Sequence, residues 1–127
     1  MLAPVMCEPS LPLDNPSALA IETEALKTIA QRLKTDDLTV LGYRFEGDSF
    51  CRAERFAAYS AALGDHFIGR VLPDSAGNTK DLPPFTEEVV GHPHSVVTTH
   101  LIDEIGQPTL AARDEIIAFF KQRLGQS

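Results

Sequence analysis

The sequence predicts an α/β protein in one domain, with about three mostly parallel strands flanked by helices. Three observations carry this expectation. Short β-rich apolar runs alternate with segments of helical periodicity. One run, Leu38 to Phe45 (LTVLGYRF), is almost continuously apolar, the pattern of a strand covered by helices on both faces. The chain has 127 residues, 43% hydrophobic and 23% charged, enough for a single modest core.

The elements follow in order. Residues 2 to 7, LAPVMC, form a short apolar strand, and the proline-rich EPSLPLDNPS after it forbids regular structure. From Ser17, Leu19, Leu26, Ile29, Ala30 and Leu33 mark one helical stripe. Glu22 and Glu24 lie early and Lys27, Arg32 and Lys34 late, as a helix dipole favours, so a helix is expected over about 17 to 34. The strand LTVLGYRF comes next. Cys51 to Leu63 then carries Phe56, Ala57, Tyr59, Ala62 and Leu63 at helical spacing, with Gly64 where a helix ends. His66 to Leu72 (HFIGRVL) is a third strand stopped by Pro73, and PDSAGNTKDLPP is an exposed loop. Thr109 is expected to cap a last helix whose buried stripe is Leu110, Ile116, Ile117, Phe120 and Leu124.

Composition excludes several function classes. A net charge of −7 argues against a nucleic-acid partner, which would call for clustered Lys and Arg. The apolar N-terminus is too short for a membrane span and has no basic residues ahead of it, so a cytoplasmic address is expected. Cys7 and Cys51 stand 44 positions apart, neither a disulfide framework nor a paired zinc spacing, and read as free thiols.

Chemistry in an open parallel sheet gathers beyond the carboxyl ends of the strands. Two residues are candidates there: Asp48, in the turn FEGDSFC after LTVLGYRF, and His94, in GHPHSVVTTH. That last stretch holds three of the four histidines. His92-x-His94 could offer two metal ligands from one face of an extended segment, but a third is not evident, so no metal is expected. His92 and His100 read as surface residues. The plain alternatives for Asp48 and His94 are a solvent-facing turn residue and an exposed loop histidine. Cys51 near a helix start could have a lowered thiol pKa, although small buried cysteines are commoner. Ser95 adjoins His94 without attack geometry around it. Glu22, Glu24, Asp36, Asp37, Glu87 and Glu88 read as a solvated acidic surface, and Phe56, Tyr59, Phe119 and Phe120 as packing.

The segment LTVLGYRFEGDSFCRAERFAAYSAALGDHF, followed at a distance by PHSVVTTHLIDEIGQPTLAARDEIIAFFKQRL, resembles the C-terminal part of an α/β-hydrolase, most closely of the dienelactone hydrolase branch. The resemblance covers roughly residues 38 to 124, and the first 37 only by element order. It implies a three-layer partial α/β-hydrolase fold in which Asp48 takes the position of the triad acid and His94-Ser95 that of the base. The final helix with its aromatic pair, IIAFF, would close that fold. Acid before base agrees with the hydrolase order of nucleophile, acid and histidine. The departure is the nucleophile: no G-x-S-x-G or G-x-C-x-G elbow occurs in the 127 residues. The chain is therefore expected to be a single truncated domain over 1 to 127, lacking the nucleophile-bearing half and the oxyanion hole.

Two readings follow from the resemblance. One is a self-associating remnant, not catalytic alone, which holds a small apolar ligand where the active site was. The other is a subunit or fragment of an ester or lactone hydrolase whose Ser or Cys comes from another polypeptide. Both expect residues 1 to 7 to meet a partner, a second copy of the chain or the complementing polypeptide, because an open buried-type strand invites pairing. Neither calls for a cofactor.

Overall fold

The computed structural model describes residues 2 to 125, so Met1, the first residue of the expected partner strand, lies outside the described residues. Three parallel strands form one sheet in the order β1-β2-β3: β1 is Val5–Cys7, β2 Val40–Phe45 and β3 Phe67–Leu72. Helices α1 (Thr23–Thr35) and α2 (Ala53–Leu63) connect the strands, and α3 (Pro108–Arg123) follows a long irregular segment. The expected α/β arrangement, a parallel sheet flanked by helices, holds.

β2 is central, and all six of its residues are buried. Its alternation sorts the core. Leu41, Tyr43 and Phe45 pack with Leu72, Val96, Ala112, Ile116 and Phe119 beneath α3, while Val40 packs with Leu33, Leu38, Phe56, Tyr59, Leu63 and Phe67 beneath α1 and α2. An uninterrupted apolar strand is the residue pattern two covered faces require. Gly42 faces the second cluster, where a Cβ would stand 2.7 Å from the Phe67 ring and 3.2 Å from that of Phe56. The two rings are locked edge to face at 5.3 Å and have little room to retreat. Gly42→Ala is expected to destabilise the protein by about 1–3 kcal/mol through overpacking, read as a thermal midpoint lowered by several degrees; an unchanged midpoint would mean that the rings yield freely.

Three expectations need correction. The first helix starts at Thr23, not near Ser17. Asn15 folds the chain into a turn instead, taking the Ser17 N–H on its side chain and the Ala18 N–H on its carbonyl. The buried Arg55 guanidinium then binds the carbonyls of Ser10, Leu11, Pro12, Asn15 and Ala18, pinning this stretch in a non-helical path. Leu19 still packs against the α1–α2 cluster, so the apolar stripe is real but its first part is not helical. The second helix likewise starts at Ala53, two residues after Cys51.

The third correction concerns α3. Pro108 occupies its first turn, and Thr109 does not cap it: the Thr109 hydroxyl accepts the Ile102 N–H at 2.9 Å and the side chain is fully buried. With Thr109 held to the preceding loop, the inward stripe becomes Thr109, Ala112, Ile116 and Phe119. Ile117, Phe120 and Leu124 face outward, at 42%, 39% and 56% exposure, against the expectation that they are buried. No helix among the described residues is long and apolar enough to cross a membrane.

Candidate functional site

The site lies beyond the carboxyl ends of β1 and β2. After Phe45, the chain turns through Glu46 and Gly47. The Gly47 N–H donates to Asp74 Oδ1 at 2.8 Å, which ties the turn to the segment after β3. The turn delivers Asp48 to the interior, where it is 2% exposed rather than solvent-facing. Asp48 Oδ1 accepts the N–H groups of Phe50 and Cys51 at 2.9 and 3.2 Å, which fixes the carboxylate plane. Its Oδ2 lies 2.6 Å from His94 Nδ1.

That short contact defines the chemistry available to His94. A carboxylate accepts only, so Nδ1 carries the proton and Nε2 is left with a free lone pair. The hydrogen bond that His94 donates to Asp48 raises the His94 pKa above its ordinary value, burial opposes this, and the charges of Asp48 and Glu8 add to the rise. The Phe50 ring lies 5.6 Å from the His94 ring in an edge contact, covering one side of it. Within the described residues, then, an oriented imidazole with a buried carboxylate behind it sits at the end of a parallel sheet.

The other histidines contradict their expected surface roles. His100 is only 3% exposed, and its Nδ1 accepts the backbone N–H groups of Ser95 and His94 at 3.0 and 3.2 Å. It thereby shapes the loop that presents His94, and burial lowers its pKa. His92 Nε2 lies 2.5 Å from Ser49 Oγ and also takes the Ser49 N–H at 3.3 Å, while its Nδ1 is 3.9 Å from Asp48 Oδ1. The turn after β2 is tied to the histidine loop twice, once through Asp48 and once through Ser49. Ser95 contributes backbone: its carbonyl accepts the His100 N–H at 3.0 Å.

Glu8 is the residue that sequence reasoning missed. It follows β1 directly, with a positive φ of 46°, and its Oε1 accepts the N–H of Val96, two residues beyond His94. Burial pushes its carboxyl up to about 7, the Val96 N–H and the His94 charge oppose this, and the charge of Asp48 adds to it. The signal was available: an acidic residue ending an apolar strand stands in the same topological place as Asp48 ending the next one.

The thiols are not poised as nucleophiles. Burial raises Cys7 to about 11 and Cys51 to about 12, so desolvation overrides any help a helix start could give Cys51. Among the described residues, no group of three or more His, Cys, Asp and Glu side chains could hold a metal ion. Searches for relatives give no context for the site: no family model, no curated protein and no solved structure matches the chain.

Proposed function

We propose that this chain carries the acid–base pair of an ester or lactone hydrolase related to the dienelactone hydrolases, on a partial α/β-hydrolase fold, and that the Ser or Cys nucleophile comes from polypeptide outside these 127 residues. The observation that carries the reading is the 2.6 Å contact between the buried Asp48 carboxylate and His94 Nδ1 at the carboxyl end of a parallel sheet. In this role, His94 Nε2 takes the proton of the hydroxyl or thiol as its oxygen or sulfur attacks the carbonyl carbon. Asp48 holds the ring tautomer and stabilises the imidazolium, which then gives the proton to the leaving alkoxide. Water releases the acyl group by the same relay. Glu8 and His100 position the loop that bears His94.

The isolated chain is expected to be inert toward esters, since the nucleophile and the oxyanion hole supply the largest catalytic contributions. The test is to express it with an elbow-bearing G-x-[SC]-x-G polypeptide encoded in the adjoining reading frame and to assay short-chain aryl esters. Turnover abolished by His94→Ala supports the reading. His94-dependent turnover by the chain alone, or an adjoining frame without an elbow, contradicts it.

A second reading, a self-associating remnant that only binds a ligand, draws support from β1, which among the described residues is an edge strand paired with β2 alone. Light scattering at micromolar concentration separates the two. A stable monomer removes the self-association, and a dimer that stays inert when the elbow is supplied removes the hydrolase role.

A further inference from the structure

Beside the Asp48–His94 pair, the same two loops hold a serine and a histidine that the hydrolase reading leaves unused. Ser49 is exposed, and its Oγ lies 2.5 Å from His92 Nε2, which also takes the Ser49 N–H at 3.3 Å. A backbone N–H can only donate, so Nε2 bears the lone pair of the neutral ring and the hydroxyl must donate to it as well. Nδ1 therefore carries the ring proton, with the Pro93 carbonyl at 3.3 Å and Asp48 Oδ1 at 3.9 Å. The His92 side chain is 19% exposed and the Phe50 ring lies 5.8 Å from its ring, so the imidazole is held in place. The other titratable groups around His92 are His94, two residues on, and Glu87 and His100, which share a cavity wall with it. Ser49, His92 and Asp48 thus stand in the order hydroxyl, imidazole, carboxylate, the succession of groups that makes a serine nucleophilic.

We propose that Ser49 is a nucleophile of this chain, with His92 as its base and Asp48 behind the imidazole, and that it accepts an acyl group from a donor of the thioester class. Ser49 Oγ bonds to the carbonyl carbon as its proton passes to His92 Nε2; the carbon–sulfur bond then breaks, and the proton leaves with the sulfur as a thiol. The charge of Asp48 stabilises the imidazolium formed between the two steps. An activated donor follows from how the turn spends its backbone. The Ser49 N–H goes to His92 and those of Phe50 and Cys51 go to Asp48, so none of the three is left for a tetrahedral oxyanion. The leaving group must supply the driving force instead, and a thiolate, a weaker base than an alkoxide, does so. For the same reason water removes the acyl group slowly, and Ser49 is modified once rather than turned over. The donor arrives through an open hollow of about 370 Å³ that Ser49 helps to line, where Glu46 and Glu54 outnumber Arg52 and disfavour an anionic donor. Acylation needs neither an elbow-bearing polypeptide nor proton transfer by His94, so it stands or falls separately from the hydrolase reading.

The test incubates the whole chain, alone, with S-phenyl thioacetate and follows thiophenol release, intact mass and the modified peptide. The expected result is a single acetyl group per chain, carried on Ser49, with thiophenol release stopping once the protein is modified. Ser49→Ala should abolish that adduct, and His92→Gln should slow its formation roughly a hundredfold, the lower end of what a positioned base contributes. No acetyl on Ser49, acetyl scattered over the lysines without preference for Ser49, or an equal rate in His92→Gln overturns the proposal. Should His92→Gln unfold, the wild-type chain decides. Its acetylation rate should rise with pH and level off in step with deprotonation of the His92 imidazole followed by NMR, and a rate that keeps climbing with hydroxide past that point would overturn the proposal equally.

Discussion

Asp48→Asn is expected to cost about 10⁴-fold in ester turnover wherever the nucleophile is supplied, by analogy with loss of a triad acid, equivalent to about 5.5 kcal/mol of transition-state stabilisation. The substitution is a sharp one because Asp48 does two jobs with two oxygens. Asn keeps Oδ1, which can still accept the Phe50 and Cys51 N–H groups that hold the turn. What it loses is the second acceptor: an amide NH₂ facing His94 Nδ1 cannot accept a proton, so the imidazole must present its lone pair there and carry its proton on Nε2. That tautomer cannot act as the base. The measurement is the steady-state rate of the elbow-supplemented protein, accompanied by a denaturant melt. A large rate loss with a small change in stability is expected; equal rates in the two proteins would mean that the carboxylate does not serve His94.

Glu8→Gln is expected to change how stability depends on pH. The folded-state carboxyl stands at about 7 against an ordinary 4.5, raised chiefly by burial. For an acid raised in this way the folded protein holds the proton more tightly than the unfolded chain. Its contribution is therefore fully present below about pH 4.5 and is lost as pH rises through about 7. The raised His94 contributes in the same sense, its stabilisation fading as pH climbs through its folded-state value. Gln cannot titrate but keeps an amide oxygen for the Val96 N–H. Glu8→Gln should thus match the wild type near pH 4.5 and exceed it at pH 8. The difference should be on the order of 2 kcal/mol, since a tenfold change in proton affinity is worth about 1.4 kcal/mol and solvent screening of a partly exposed carboxylate removes some of it. Urea melts across that range read it directly. Parallel pH profiles for the two proteins would show that Glu8 ionises as an exposed residue does.

Much of the fold is written locally in the sequence. β2 stands out because both its faces are covered, and the turn after it shows as glycine followed by aspartate. His94 is marked by its order after the strands. What escaped sequence reasoning depends on partners far along the chain. The path of residues 10 to 18 is set by Arg55, some 40 positions away, and the rotation of α3 by the bond between Thr109 and the Ile102 backbone. His92 and His100 look incidental in a polar loop because their partners, the side chain of Ser49 and the N–H groups of a folded-back backbone, are invisible to periodicity. Glu8 reaches across 88 positions to Val96, a distance at which local pattern carries no information.

Whether Asp48 holds His94 as an oriented base is read directly by ¹⁵N and proton NMR titration of the His94 imidazole. The neutral ring is expected to carry its proton on Nδ1, and the midpoint to lie above the ordinary histidine value. The midpoint should drop clearly in Asp48→Asn. A His94 that titrates at or below the ordinary value, with its proton on Nε2 and no response to Asp48→Asn, would contradict it.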